Sequence, residues 1–271
     1  MRVPATVNVG LLALLAGLLL PGSALACGPY RLAFHEYAGL YHRDADGLYR
    51  GIDKDIVDEL ARRSGCRLEL RLESRARTWA LLGTGGVDIT VSAVVTAERQ
   101  RIAELVPYIQ SRRVVLLRNA GVPGAPDAFV QDAQRRLLNV RGARDAPQME
   151  ALLARLQQQG RIVEAPDQRT AVRAFKAGRA DALLMDAISL AQLRQLDPAL
   201  QAYEAVFWTP DERVVAALAL SLRRISEADR RLLRDTLLAM RRDGSLHAII
   251  RRHVGDSLAP AVLLPDGDNG P

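Results

Sequence analysis

Four histidines, two cysteines and an abundance of arginine are the residues of this 271-residue chain whose types invite chemistry. His35, His42, His247 and His253 are scattered, without the close spacings that hold a metal ion. The chain contains no Gly-x-Ser-x-Gly turn and no Cys-x-x-Cys pair. A metal site, an activated nucleophile and a resident cofactor are therefore not expected. General acid catalysis would need a carboxyl group held in a closed pocket with its pKa near the working pH. Glu36, Asp145 and Asp186 are candidates by position. Ligand binding or helix capping is the plainer role for each.

The elements that must position such groups alternate between apolar strands and amphipathic helices, the pattern of βα units with mainly parallel sheets. Strand Tyr30 to Phe34 leads to a helix from about Asp53 to Ser64, where Ile56, Val57, Leu60 and Ala61 form a stripe at helical spacing. Strand Arg67 to Leu72, a short helix around Thr78 to Leu82, strand Asp88 to Ala93 and an extended run Val114 to Leu117 follow. The Gly- and Pro-containing segment Asn119 to Pro126 is expected to leave the first lobe. The pattern then restarts: helical residues to Arg136, strand Leu137 to Val140, helix Ala146 to Gln159 capped by Asp145, and strand Arg161 to Glu164. Helix Arg169 to Ala177, strand Ala182 to Met185 and helix Ala187 to Leu196 complete this set. Strand-like Val214 to Leu222 and helices Ser226 to Arg242 and Ser245 to His253 finish the fold. Two similar sets, one nested between segments of the other, imply an α/β protein of two lobes with a cleft between them. The expected division is residues 27–118 for the first segment of lobe one, 119–207 for lobe two and 208–255 for the return hinge and second segment. The Pro-, Gly- and Asp-rich tail 256–271 is expected to fray.

At the N-terminus Arg2, an apolar run Leu11 to Leu20, the Pro21-Gly22 break and Ala24-Leu25-Ala26 have the form of a signal peptide cleaved after Ala26. The run is short for a membrane span of roughly 20 residues, so the expected product is a soluble, exported, periplasmic protein. Cleavage there leaves Cys27 first, as lipoprotein signals do; such signals usually carry Leu three residues earlier, where this chain has Ala24. In an oxidising compartment Cys27 and Cys66 suggest a disulfide. Each precedes a strand, and parallel neighbouring strands would bring their starting ends side by side. The net charge of +6 invites a nucleic-acid partner, but 37 basic residues are interleaved with 31 acidic ones, without a basic tail or aromatic-rich strand.

Several segments resemble family 3 of the periplasmic solute-binding proteins that serve ABC transporters. Gly47 to Ile56 is similar to that family's G-x-x-x-G-[FY]-D-x-D-[LIV] opening. Gly86-Val87-Asp88-Ile89, Thr96-Ala97-Glu98-Arg99 and Val106-Pro107-Tyr108 resemble its G-x-x-D, T-x-E-R and P-Y elements. Ala180 to Asp186 and Asp243-Gly244-Ser245 resemble its second-lobe strand and its C-terminal D-G-[TS]. The resemblance runs from about residue 30 to 253 and implies a type II periplasmic-binding fold, two α/β lobes joined by a two-strand hinge. It also implies a monomeric protein that closes on an amino acid or small organic acid and delivers it to a membrane permease.

Carried over residue by residue, Arg99 is expected to fork onto a ligand carboxylate and Asp186 to receive its ammonium group. Ser92 is expected to contribute backbone and hydroxyl, and Tyr37 to cover one face. Val94 stands where the family has Ser or Thr, and Arg75 where many members have a second stacking aromatic. Phe34 replaces a polar residue, and Gly142-Ala143-Arg144 replaces Gly-Thr-Thr. Arg75, Arg77, Arg99 and Arg144 together would favour a ligand with a second acid group. Two rivals share the fold: a periplasmic dehydratase of the cyclohexadienyl type, and a sensing module that reports to a separate membrane partner.

Overall fold

The computed structural model describes residues 27–265. The proposed signal peptide, residues 1–26, and the last part of the tail, residues 266–271, lie outside the described residues. The chain begins with β1 (Tyr30–Phe34), a short ladder of β2 (His42–Arg43) and β3 (Tyr49–Arg50), α1 (Ile52–Ser64), β4 (Leu68–Leu72) and α2 (Arg75–Thr84). β5 (Ile89–Val94), α3 (Ala97–Gln100) and β6 (Ala103–Ser111) complete the first passage. One residue, Arg112, then leads into β7 (Arg113–Leu117), α4 (Pro126–Gln131), β8 (Leu137–Val140), α5 (Pro147–Gln158) and β9 (Ile162–Ala165). α6 (Gln168–Lys176), β10 (Ala182–Asp186), α7 (Ala187–Leu196), a 3-10 turn at Pro198–Ala202 and β11 (Glu204–Val206) follow. The return is β12 (Val214–Ser221), α8 (Glu227–Arg242) and α9 (Ser245–Val262).

Two five-stranded sheets result, ordered β4-β1-β5-β12-β6 and β11-β7-β10-β8-β9. Each has parallel βα strands at one end and antiparallel strands where the chain crosses between lobes. β5 reads Ile-Thr-Val-Ser-Ala-Val and is buried at all six positions, as a central strand covered on both faces must be. The first core gathers Leu32, Phe34, Ile56, Leu60, Leu220 and Leu237 between this sheet and α1, α8 and α9. Gly51, at φ 130, precedes α1 because a Cβ there would lie 2.2 Å from the Leu40 carbonyl oxygen. Cys27 and Cys66 form a disulfide, and β1 and β4 are parallel neighbours as that pairing requires.

Four expectations are corrected. Val114 to Leu117 belongs to the second sheet, not the first lobe, because its uniformly apolar run is buried on both faces between β10 and β11. The chain therefore changes lobe at Arg112, ahead of the Asn119 to Pro126 break. Helix α4 ends at Gln131, short of Arg136. Asp145 does not cap α5, whose N-cap is Ala146 without a side-chain bond; its carboxylate pairs with Arg113 instead. The segment 256–265 is not frayed: α9 continues past a kink at Gly255, burying Ala259 and Val262, Leu264 just beyond it is buried too, and the Leu263 carbonyl accepts from Gln110 Nε2 at 2.8 Å. Strand β6 escaped the sequence reading because Pro107 interrupts its pattern. It tolerates the proline because it is the edge strand.

Candidate functional site

The site is organised by the end of β5. Ser92 adopts φ 47, a left-handed conformation uncommon for a residue with a Cβ. Three hydrogen bonds hold it there. Its Oγ donates to Asp53 Oδ2 at 2.7 Å, its amide donates to the Tyr108 hydroxyl at 2.8 Å, and that hydroxyl donates to Asp53 Oδ1 at 2.6 Å. The aspartate two residues after Gly51 and the tyrosine after Pro107 thus converge beneath one strand end. Burial pushes the Asp53 carboxyl up to about 6, against the two hydrogen bonds that favour its charge.

Two arginines hang from this strand end, each above an aromatic ring. Arg75, the first residue of α2, donates from Nη1 to the Ser92 carbonyl at 3.4 Å and lies 5.2 Å from the centre of the Tyr37 ring. It is buried, and its Nε has no hydrogen-bond partner. Arg99 sits in α3, whose cap Thr96 accepts from the Arg99 amide at 3.3 Å. Its Nη1 donates to the Val94 carbonyl at 3.0 Å, and its guanidinium lies 4.0 Å from the Trp79 ring centre. Its Nη2 reaches the second lobe, donating to the Gly142 carbonyl at 3.3 Å. Burial, with Arg75 and Arg144 nearby, brings the Arg99 pKa down to about 9, so it stays charged at neutral pH.

The second lobe answers with Asp186, Arg113 and Arg144. Asp186 ends β10 and caps α7, its Oδ1 accepting from the Ile188 amide at 2.8 Å; burial raises its pKa. Arg113 is its ladder partner on β7 and forms a buried two-pronged pair with Asp145, Nη2 to Oδ2 at 3.2 Å. Burial lowers the Arg113 pKa, but the charge and hydrogen bond of Asp145 together with Tyr37 and Asp186 outweigh it and the net shift is upward. Arg144 Nη2 reaches Glu98 of the first lobe at 3.4 Å. The lobes are in contact here: Gly142 has φ +77, and a Cβ on it would lie 2.9 Å from Ala76 Cα.

Tyr37, Arg75 and Ser92 from one lobe and Arg113, Arg144 and Asp186 from the other line a single cleft with about 40 Å³ of free space. Five of the six expected binding residues are thereby brought together. Arg99 instead lines an adjoining cavity of about 360 Å³ with Trp79, Gly142 and Arg144. Arg77 is outside both, with its side chain 68% exposed and paired with Glu73. Phe34 is core, stacked on Tyr41 at 4.0 Å. Glu36 pairs with Arg169 away from the cleft. Sequence reasoning missed Arg113, whose signal was a cation opening an apolar strand, and Trp79, which carried none. It also missed the role of His35, which is buried with both ring nitrogens unpartnered and kept neutral by burial and by the charges of Arg75 and Arg99. Among the described residues no cluster of His, Cys, Asp or Glu has the makeup of a metal site.

Residues 32–256 match the family described as Bacterial extracellular solute-binding proteins, family 3. The chain belongs to that family. Solved structures share the fold of this family 3 protein at low identity. The solute receptor for L-cysteine of Neisseria gonorrhoeae superposes with a TM-score of 0.72 at 21% identity, over 88% of this chain and 96% of that one. An ABC uptake transporter substrate-binding protein from Streptococcus pneumoniae with bound histidine gives 0.71 at 17%, over 84% and 93%. A histidine kinase sensor domain with similarity to periplasmic binding proteins gives 0.71 at 17%, over 89% and 99%. No curated protein matches the chain.

Proposed function

We propose that this solute-binding protein works outside the cytoplasm, captures a small amino-acid-like or carboxylate ligand by closure of its two lobes, and delivers it to an ABC permease. The observation that supports this reading is a buried guanidinium with an unused donor: Arg75 Nε, in a cleft whose opposite wall carries Asp186. A buried unpaired cation is costly and is offset by an anion that completes its hydrogen bonds. The ligand carboxylate lies against Arg75 with Arg99 beside it, Tyr37 covers its face, and an ammonium group meets Asp186. Arg113 is already neutralised by buried Asp145 and adds no free charge, whereas Arg144, held only by an exposed contact to Glu98 at 3.4 Å, has donors left for a second acid group on the ligand. The cleft's small free volume means that the lobes part to admit ligand and re-form Arg99 to Gly142 and Arg144 to Glu98 around it.

The disulfide consumes the Cys27 thiol, leaving none for lipid attachment and favouring the soluble exported form. Every named group comes from one chain, so a monomer suffices as the binding unit. A second reading rests on Asp186, a cleft carboxyl with a raised pKa, the property a general acid needs; it assigns dehydration of a cyclohexadienyl acid to the same cleft. A thermal-shift screen against amino acids, dicarboxylates, arogenate and prephenate, with turnover followed, separates the two. A saturable rise with an unconsumed compound supports binding; consumption supports the enzyme, and no response to any compound contradicts the proposed ligand class.

A further inference from the structure

Tyr37 also borders a second and larger cavity, of about 590 Å³. That volume lies within the roughly 300–1,000 Å³ of pockets that hold drug-sized ligands. Its walls come from both lobes: the segment from Glu36 to Arg43 on one side, and α6 and α7 on the other. Lobe-to-lobe contacts run beside it. The Ala38 amide donates to Gln168 Oε1 at 2.7 Å, and Ser189 Oγ donates to the Ala38 carbonyl at 2.8 Å.

The chemistry of the lining is that of an amphiphile receptor. Val172, Leu193 and Leu196 give it an apolar wall, and Leu196 is 62% exposed. Of its four cations, Arg169 is paired with Glu36 and Lys176 with Asp197. Arg43 donates only to the Gly47 carbonyl, and Arg173 has no carboxylate partner among the described residues. One uncompensated cation therefore stands on each lobe. Gln168 is 5% exposed and, with Oε1 spent on Ala38, keeps an Nε2 without a partner. A buried amide donor left unpaired is the feature a bound acceptor relieves.

We infer that this cavity is a ligand site distinct from the cleft, and that it takes an amphiphilic monoanion: an apolar body carrying one carboxylate or sulfonate. The apolar body lies against Leu193 and Leu196, and the anion is shared between Arg43 and Arg173. Because both lobes contribute walls, an occupant favours the closed arrangement and raises affinity in the cleft, and the converse holds equally.

The probe is 1-anilinonaphthalene-8-sulfonate, an apolar body with one sulfonate whose fluorescence rises on leaving water. Titration of the full protein gives one saturable site, displaced by octanoate. Arg173→Glu and Leu196→Glu, both surface changes whose folding is checked by circular-dichroism melting, are each expected to weaken it by about tenfold or more. Arg75→Ala, at a residue that lines the cleft and not this cavity, leaves it within about twofold. Overturning results are non-saturable fluorescence, affinity unchanged in both glutamate variants, or equal loss in Arg75→Ala.

Discussion

Arg99 Nη2 donates to the Gly142 carbonyl across the two lobes at 3.3 Å. One guanidinium thus joins the end of β5, through Val94, to the loop after β8. The arginine expected to hold the ligand carboxylate is also the residue that latches the lobes. The latch therefore sits beside the cleft, in the adjoining cavity, rather than among the residues that line it.

The neighbouring glycine carries the first prediction. Gly142→Ala adds a Cβ within 3.0 Å of the Ala76 backbone and a φ penalty of roughly 1–2 kcal/mol. The expected result is ligand affinity reduced about tenfold or more by calorimetric titration, beyond the fall of a few degrees in ligand-free melting temperature that the φ penalty alone produces, because only the closed arrangement meets the clash.

Asp53, Ser92 and Tyr108 give a pH dependence. The Asp53 carboxyl titrates near 6 when folded and near about 4 when unfolded. Between those values the folded protein holds the extra proton. Stability from this group is full below about pH 4, falls as pH rises through the window, and is lost above about 6. In urea unfolding from pH 4 to 7 the native protein should lose stability relative to Asp53→Asn as pH rises, the opposing rise from His35, whose pKa burial lowers, being common to both. The Asp186 pKa is raised by burial in both proteins and cancels in the comparison.

Removing the Tyr108 hydroxyl leaves the Ser92 amide unpaired and Asp53 with one donor fewer. Tyr108→Phe is expected to cost about 1–3 kcal/mol, measured by denaturant unfolding, and to weaken ligand binding because the left-handed turn at Ser92 relaxes.

Much of this was legible in the sequence because the motif residues do local work at fixed offsets. Thr96 caps the helix that carries Arg99, Asp186 caps α7, and the Asp243-Gly244-Ser245 turn joins α8 to α9 while Asp243 pairs with Arg63 of α1. Tyr37, Arg75, Ser92, Arg144 and Asp186 accordingly meet in one cleft. The direction of Arg99 was not legible, since it depends on Trp79 from another helix and Gly142 from another lobe. Nor was Arg113: with the Val114 to Leu117 run placed in the wrong lobe, its partnership with Asp145 had no reason to be suspected. The end of α9 was obscured by composition, since Gly255 and Pro260 fall inside it and Pro265 follows it.

The Arg113 and Asp145 pair supplies the stability prediction. Asp145→Ala leaves a buried cation without its counter-charge and should destabilise by about 3–5 kcal/mol. Replacing both partners together, as Arg113→Met with Asp145→Leu, should cost less than Asp145→Ala alone in the same unfolding measurement, because no uncompensated charge remains.

The Cys27–Cys66 bond closes a separation of 39 residues, and its removal by Cys27→Ala with Cys66→Ala should cost roughly 2–4 kcal/mol, while leaving ligand affinity unchanged because the bridge lies at the opposite end of β1 from the cleft.

Closure itself is tested most directly by small-angle X-ray scattering of residues 27–271, with and without the compound that raises their melting temperature. The predicted result is a smaller radius of gyration on saturation, with the same compound failing to compact Arg75→Ala. An identical radius with and without bound compound, at concentrations where calorimetry shows the site full, would contradict capture by lobe closure.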